Sequence, residues 1–252
     1  MQTIDDLQAW KRLKSSLCSD KSIGFVPTMG NLHAGHQSLL ERSVTENDIT
    51  VLSIYVNPTQ FDQPTDYNTY PATIDRDLEC ARASGVDFVL LPRYEQMYPD
   101  AFRFKLTEDQ FSLELEGMRA GHFTGVLTVV MKLLQLVYPD KAYFGEKDYQ
   151  QYLLIRDMAA AFFMPIDIVA CPTVRNATGL ALSSRNQRLS QASKGQAAEL
   201  YSLLQSCSSV SCVKAGLLQK GIAIDYVKEY CGRRYAAIVV EGVRLIDNVP
   251  VH

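Results

Sequence analysis

The chain has 252 residues, with 25 Lys+Arg against 28 Asp+Glu, a formal net charge of −3, 47% hydrophobic and 21% charged residues. Those proportions belong to a globular chain long enough to bury a sizeable core, and they exclude disordered and fibrous classes. A balance this close to neutral leaves no basic footprint for nucleic acid or an anionic membrane, so any anion must be gripped by a local site.

In chain order, residues 3–17 read as an amphipathic helix, with Ile4, Leu7, Trp10, Leu13 and Leu17 near helical spacing. Ser22–Val26 is a short apolar strand halted by Pro27, and a Thr28-Met29-Gly30 turn leads to a helix over about 36–46. Ile49–Val56 is a strand ended by Asn57-Pro58, Ile74–Ser84 a helix, and Val86–Leu91 a strand ended by Pro92. A helix of about 123–137, a strand at Lys141–Phe144, a helix over 148–162 and a strand at Ile166–Cys171 continue the alternation. Buried strands separated by helices predict an α/β fold, a Rossmann-like parallel sheet covered on both faces. Composition shifts after Asn186: residues 187–221 are Gln-, Ser-, Ala- and Lys-rich with helical spacing, and Ile224–Tyr230, Tyr235–Val240 and Val243–Ile246 read as short strands in hairpin order. The expected division is therefore a domain at 1–186 and a small α+β domain at 187–252.

Six cysteines, Cys18, Cys80, Cys171, Cys207, Cys212 and Cys231, include no C-x-x-C pair. Cys207 and Cys212 read as two buried small side chains, because zinc needs further ligands nearby, and a reduced thiol set is expected. The acidic start of the chain does not read as a signal peptide, and the longest apolar segment, Val126–Tyr138, is too short to span a bilayer. The expectation is a cytoplasmic protein with neither membrane nor nucleic-acid partners.

Four polar stretches sit where strands or loops end. Pro27-Thr28-Met29-Gly30-Asn31-Leu32-His33-Ala34-Gly35-His36 joins the first strand to its helix, where amides point at an anion in open α/β sheets. His33 and His36, three apart, can face the same way and stabilise charge growing on a phosphate; the alternatives are a capped turn with two solvated histidines, or a metal pair, for which only His122 and His252 remain as further histidines. Tyr143–Gln151 runs from a strand end into a helix: Gly145 permits close approach of a nucleotide, Lys147 can reach phosphate and Asp148 can accept from ribose hydroxyls. The same residues also suit a plain charged helix start. Ser183-Ser184-Arg185 offers two hydroxyls and a guanidinium fork for phosphate, or else a polar linker. Asn57-Pro58-Thr59-Gln60-Phe61 is either a turn or a grip on a small polar substrate.

Together these stretches closely resemble the pantothenate synthetase (pantoate–β-alanine ligase) family of the His-x-Gly-His nucleotidylyltransferase superfamily. The resemblance is carried by PTMGNLHAGH at 27–36, NPTQF at 57–61, HFTGVLTVVMKLLQLVYPDKAYFGEKDYQQ at 122–151 and PTVRNATGLALSSRN at 172–186. It implies an AMP-forming ligase that condenses pantoate with β-alanine through an enzyme-bound pantoyl adenylate. By motif, His33, His36, Lys147 and Arg185 are the catalytic set, with His36, Lys147, Ser183, Ser184 and Arg185 on the phosphates, Gly145 and Asp148 on the nucleoside, and Met29 and Val174 holding nucleotide through backbone groups. Gln60 and Gln151 are implied to grip pantoate, and Mg2+ on the outer phosphates is implied with Asp77 as its ligand; Arg76 stands where relatives often carry an acid. Asn31 replaces a common small apolar residue. The region after Asn186 resembles a trimmed form of the family's lid domain, although Arg244-Leu245-Ile246-Asp247-Asn248 matches its end. A homodimer is implied as well. The competing expectations are an adenylyltransferase acting on a phosphate-bearing acceptor, which needs a basic acceptor pocket, and a non-catalytic nucleotide-binding regulator.

Overall fold

A computed structural model describes residues 1–17 and 20–251; the readings on Cys18 and His252 lie outside the described residues. The chain divides into two compact units: Met1–Leu32, His36–Gly145 and Gln150–Cys171 form the first, and His33–Gly35, Glu146–Tyr149 and Pro172–His252 the second. The expected boundary after Asn186 thus falls inside the second unit.

The first unit runs β1 (Gln2–Ile4), α1 (Leu7–Ser16), β2 (Ile23–Thr28), α2 (Ala34–Glu46), β3 (Ile49–Ile54), a 3-10 turn at Pro58–Gln60, α3 (Pro64–Asn68), α4 (Ile74–Ala83), β4 (Phe88–Leu90), α5 (Tyr94–Met97), 3-10 turns at Phe111–Leu113 and Leu115–Met118, α6 (His122–Val137), β5 (Lys141–Gly145), α7 (Tyr149–Ala161) and β6 (Asp167–Cys171). The six strands are parallel, in the order β1-β4-β3-β2-β5-β6. Period-two alternation sorts neighbours onto opposite faces. Phe25, Val51, Leu90, Ala142, Phe144 and Ile168 pack with Trp10, Leu127, Leu134 and Ile155. Val26, Leu52, Val89, Tyr143 and Val169 pack with Leu39, Leu40 and Ala81. Helices α1, α6 and α7 therefore cover one face, and α2 and α4 the other, which is the Rossmann-like arrangement expected. The strand order reverses at β2 and β5, and both strands lead at their carboxyl ends into polar motifs of the kind that bind ligands there.

At the start of the chain the structure differs from expectation in kind. Residues 2–4 are a strand, Gln2↔Phe88 to Ile4↔Leu90, rather than the start of the first helix. Asp6 ends the strand's reach: its carboxylate accepts the Gln8 N–H at 2.9 Å as an N-cap, so the helix begins at Leu7.

The second unit packs α8 (Gln191–Ser206) and α9 (Val210–Gln219) on an antiparallel sheet of β7 (Ala223–Tyr230), β8 (Arg233–Val240) and β9 (Val243–Pro250), in that order. Leu200, Leu204, Val213 and Leu217 from the helices meet Val227, Ala236, Ile238, Leu245 and Val249 from the sheet. Cys207 and Cys212 form a disulfide across the α8–α9 turn, with Cα atoms 5.6 Å apart. The expectation of two buried thiols is corrected: the turn that brings α9 back beside α8 sets these α-carbons at bridging distance, and Cys212 is exposed. No helix among the described residues is long and apolar enough to cross a membrane.

Candidate active site

In the first unit, β2 empties into a turn with two successive left-handed residues, Gly30 at φ +82° and Asn31 at φ +52°. Thr28 starts it: its hydroxyl donates to Ser53 O at 2.8 Å and accepts from Gly30 N–H at 3.2 Å. The left-handed pair aims consecutive N–H groups the same way, a concavity suited to an anion. That anion is Asp77. Its Oδ2 accepts from Asn31 N–H at 2.8 Å and from the Thr73 hydroxyl at 3.1 Å, and its Oδ1 from Leu32 N–H at 2.7 Å. Asp77 is 1% exposed. Three hydrogen bonds from the turn and from Thr73 thus hold the carboxylate that the resemblance names as a magnesium ligand. Among the described residues no group of three His, Cys, Asp or Glu could hold a metal ion.

The turn after β3 carries Gln60. Buried Asn57 accepts from Tyr98 Oη at 2.9 Å and donates to Gln60 Oε1 at 3.1 Å and to Gly125 O at 3.3 Å. Gln60 Nε2 meets Met29 Sδ at 3.1 Å, and its carbonyl meets His122 Nδ1 at 2.8 Å. Gly125 allows this approach, since a Cβ there would overlap Thr59 O. The structure thus brings Gln60 and Met29 together. Gln151, on the first turn of α7, is half-buried and makes no side-chain hydrogen bond among the described residues. Gln150 beside it, overlooked in the sequence, is buried and clamps the 3-10 turns, accepting from Glu116 N–H at 3.0 Å and donating to Phe111 O and Glu114 O at 2.7 Å. The Arg119–Asp62 pair, with bonds of 3.0 and 2.7 Å, was equally silent. His36 lies in the first turn of α2, half-buried, and a Cβ added at Gly145 would meet nothing within 4 Å.

In the second unit, His33 Nδ1 accepts the Gly35 N–H at 3.1 Å, which places the proton of a neutral ring on Nε2. Gly35 leaves room for the ring: a Cβ would lie 2.9 Å from His33 Cε1, so the imidazole would have to shift. Burial pushes the His33 pKa down from 6.5 to about 4, helped by Lys147 and opposed by Asp148. The ring is neutral at pH 7 and offers one N–H donor. Lys147 and Asp148 pair at 3.3 Å on the 3-10 turn Glu146–Asp148. Asn248 Nδ2 holds that turn through Glu146 O and Lys147 O, each at 2.9 Å. Val174 lies in a short ladder, its carbonyl accepting from Leu182 N–H at 2.9 Å. Ser183 Oγ caps the 3-10 turn Ser184–Arg188 by accepting from Arg185 N–H at 3.3 Å.

Residues 1–250 match the family model described as pantoate-beta-alanine ligase. The chain belongs to the pantoate–β-alanine ligase family. It is 49% identical over 249 residues to a pantothenate synthetase of Legionella pneumophila, covering 98% of this chain and 99% of that protein, and 48% identical to one of Coxiella burnetii, covering 99% and 96%. Among solved structures, a Francisella tularensis pantoate–β-alanine ligase complexed with βγ ATP and β-alanine superposes with a TM-score of 0.94 at 38% identity, covering 99% of this chain and 97% of that one. A pantothenate synthetase of Thermus thermophilus gives 0.91 at 37% identity and full coverage of both chains. Against these relatives the expected trimming of the C-terminal region is not seen. The activity of the family is AMP-forming carbon–nitrogen ligation, the ATP-dependent condensation of pantoate with β-alanine.

Proposed function

We propose that the condensation runs in two steps on the residues singled out above. The pantoate carboxylate attacks the α-phosphate of ATP, giving pantoyl adenylate and pyrophosphate; the amine of β-alanine then attacks the acyl carbon and AMP leaves. A carboxylate does not acylate an amine at neutral pH unless its oxygen becomes a leaving group, and adenylation supplies one. His33 and His36 donate to phosphate oxygens as charge builds in the first step. Lys147, Ser183, Ser184 and Arg185 hold the departing pyrophosphate, Gly145 and Asp148 the nucleoside, and Met29 and Val174 nucleotide through backbone groups. Gln60 and Gln151 hold pantoate. Neutral amides suit a hydroxy acid, whereas a phosphate-bearing acceptor calls for a basic pocket, so the adenylyltransferase alternative is not favoured.

The observation that supports this reading most is His33, whose Nδ1 accepts the Gly35 N–H and whose ring stays neutral, so that Nε2 carries the ring proton. Magnesium belongs to the reading as a companion of the triphosphate. A homodimer and a cytoplasmic location are part of the same proposal. The test is pantoate-dependent exchange of labelled pyrophosphate into ATP without β-alanine, together with transfer of one labelled carboxylate oxygen to AMP in the complete reaction. Release of ADP, or label in inorganic phosphate, would overturn the adenylate.

A further inference from the structure

The dipeptide Asp247-Asn248, which no step above uses, is buried at 4% and 3% exposure in β9. Successive residues of a strand point to opposite faces, so this pair serves two clients. Asp247 takes Arg175 in a two-pronged ion pair, at 2.5 and 2.8 Å. Arg175 also donates to Gly179 O at 3.0 Å and lies 3.6 Å over the Tyr201 ring, which fixes the 174–182 ladder carrying Val174. On the other face, Asn248 Nδ2 bridges the carbonyls of Glu146 and Lys147, while Asn248 Oδ1 accepts from Arg233 Nε at 2.7 Å. Arg233 in turn stacks 3.8 Å over Tyr149 and faces Glu146 at 3.7 Å. Every polar atom of the Asn248 amide is therefore spent on the turn or on a residue that braces it.

We propose that Asp247 and Asn248 are positioning residues that set two nucleotide-binding segments, the Val174 ladder and the Lys147-Asp148 turn, from one strand. The inference rests on the reading that those segments hold ATP. With the Asn248 donors gone, the Glu146–Asp148 turn loses both its carbonyl anchors, and Lys147 and Asp148 sample orientations in which they do not meet the nucleotide. The pair acts on affinity for ATP and on the first step, and leaves pantoate and β-alanine recognition alone.

The experiment is a double-mutant cycle of Asn248→Asp with Lys147→Ala, read by calorimetric titration of α,β-methylene ATP into the intact protein. Asn248→Asp keeps the shape and removes the donors. It is expected to weaken the analogue about tenfold, the worth of one or two lost hydrogen bonds, with pantoate affinity within twofold of wild type. In the Lys147→Ala background the same change is expected to cost less than twofold, because its effect passes through that side chain. Asp247→Asn is expected to weaken the analogue in both backgrounds. Arg244→Ala, on the same strand as Asn248, removes the 2.8 Å pair with Asp225 of β7; it is the structural control and should alter the unfolding midpoint alone. If Asn248→Asp does not fold, Arg233→Lys, which keeps the charge but not the planar bridge, should give a smaller shift of the same sign. Full additivity in the cycle, or equal loss for pantoate and the ATP analogue, overturns the proposal. An unaffected titration in Lys147→Ala alone overturns instead the assignment of Lys147 to ATP.

Discussion

The two turns that leave β2 and β5 are held by opposite means. After β2, a buried carboxylate accepts two backbone N–H groups, from Asn31 and Leu32. After β5, a buried amide donates to two backbone carbonyls, those of Glu146 and Lys147. The difference follows from the backbone each turn presents. The turn after β2 presents N–H groups, which need an acceptor and which a carboxylate bonds more strongly than a neutral group; the 3-10 turn presents carbonyls, which need a donor. The comparison teaches that an acidic residue beside a strand-end motif can serve the backbone of the turn itself, as a carboxamide does at the second turn.

That contrast is broken first at Asp77. Hydrogen bonds to a charged group are each worth about 1.5–3 kcal/mol, so Asp77→Ala, which strands two buried N–H groups, is expected to lower unfolding free energy by about 3–5 kcal/mol, against about 1–2 kcal/mol for Asn248→Ala with its neutral bonds. Urea unfolding of both variants checks this, and equal losses would show that charge is not the distinction. In Asp77→Asn the magnesium concentration that gives half-maximal turnover should be unchanged; a severalfold rise would support the metal-ligand role. The comparison is sharpened next at Gly35, because its Cβ would collide with the His33 ring. Gly35→Ala favours the helix by about 1 kcal/mol on propensity alone, yet turnover is expected to fall by about 10²-fold, approaching His33→Ala. Turnover near wild type would mean that the ring's seat does not matter. Smaller still is Gln60→Ala, for which pantoate KM should rise about tenfold with ATP KM held; a loss confined to ATP would move the pantoate site.

Much of this was legible in the sequence. Apolar runs of strand length separated by helices, with motifs at strand ends, carry the sheet order's logic, and PTMGNLHAGH and GEKDYQQ mark the two turns at the reversal of the sheet. What stayed hidden is non-local. Asp77 reads as a free carboxylate until the fold brings Asn31 N–H against it, 46 residues away in sequence. Asn248 is 101 residues from Lys147, and Gln150 34 from Glu116. The strand at residues 2–4 was absorbed into a helical pattern because Ile4 fits both periods and only pairing with Phe88–Leu90 decides between them. The Cys207–Cys212 disulfide depends on a helical turn whose geometry the spacing alone does not give.

The last prediction uses the seat of His33 to separate burial from charge in the second unit. In the unfolded chain its pKa is 6.5, and in the folded protein it is about 4, lowered first by burial and then by Lys147. Between these values the unfolded state binds more protons than the folded one, so stability falls as pH drops from about 6.5 to about 4 and is flat on either side. His33→Gln removes the titration. The urea midpoint of the wild type should therefore fall further between pH 7.5 and pH 4.5 than that of the variant, and the difference between the two isolates this one imidazole from every other group that titrates in the range. Lys147→Met should shrink that difference only in part, since Lys147 is the second cause and burial the first. Parallel midpoints in wild type and His33→Gln would mean that the folded ring takes up a proton as readily as the unfolded one, and the neutral N–H donor assigned to the first step would have to be replaced by an imidazolium.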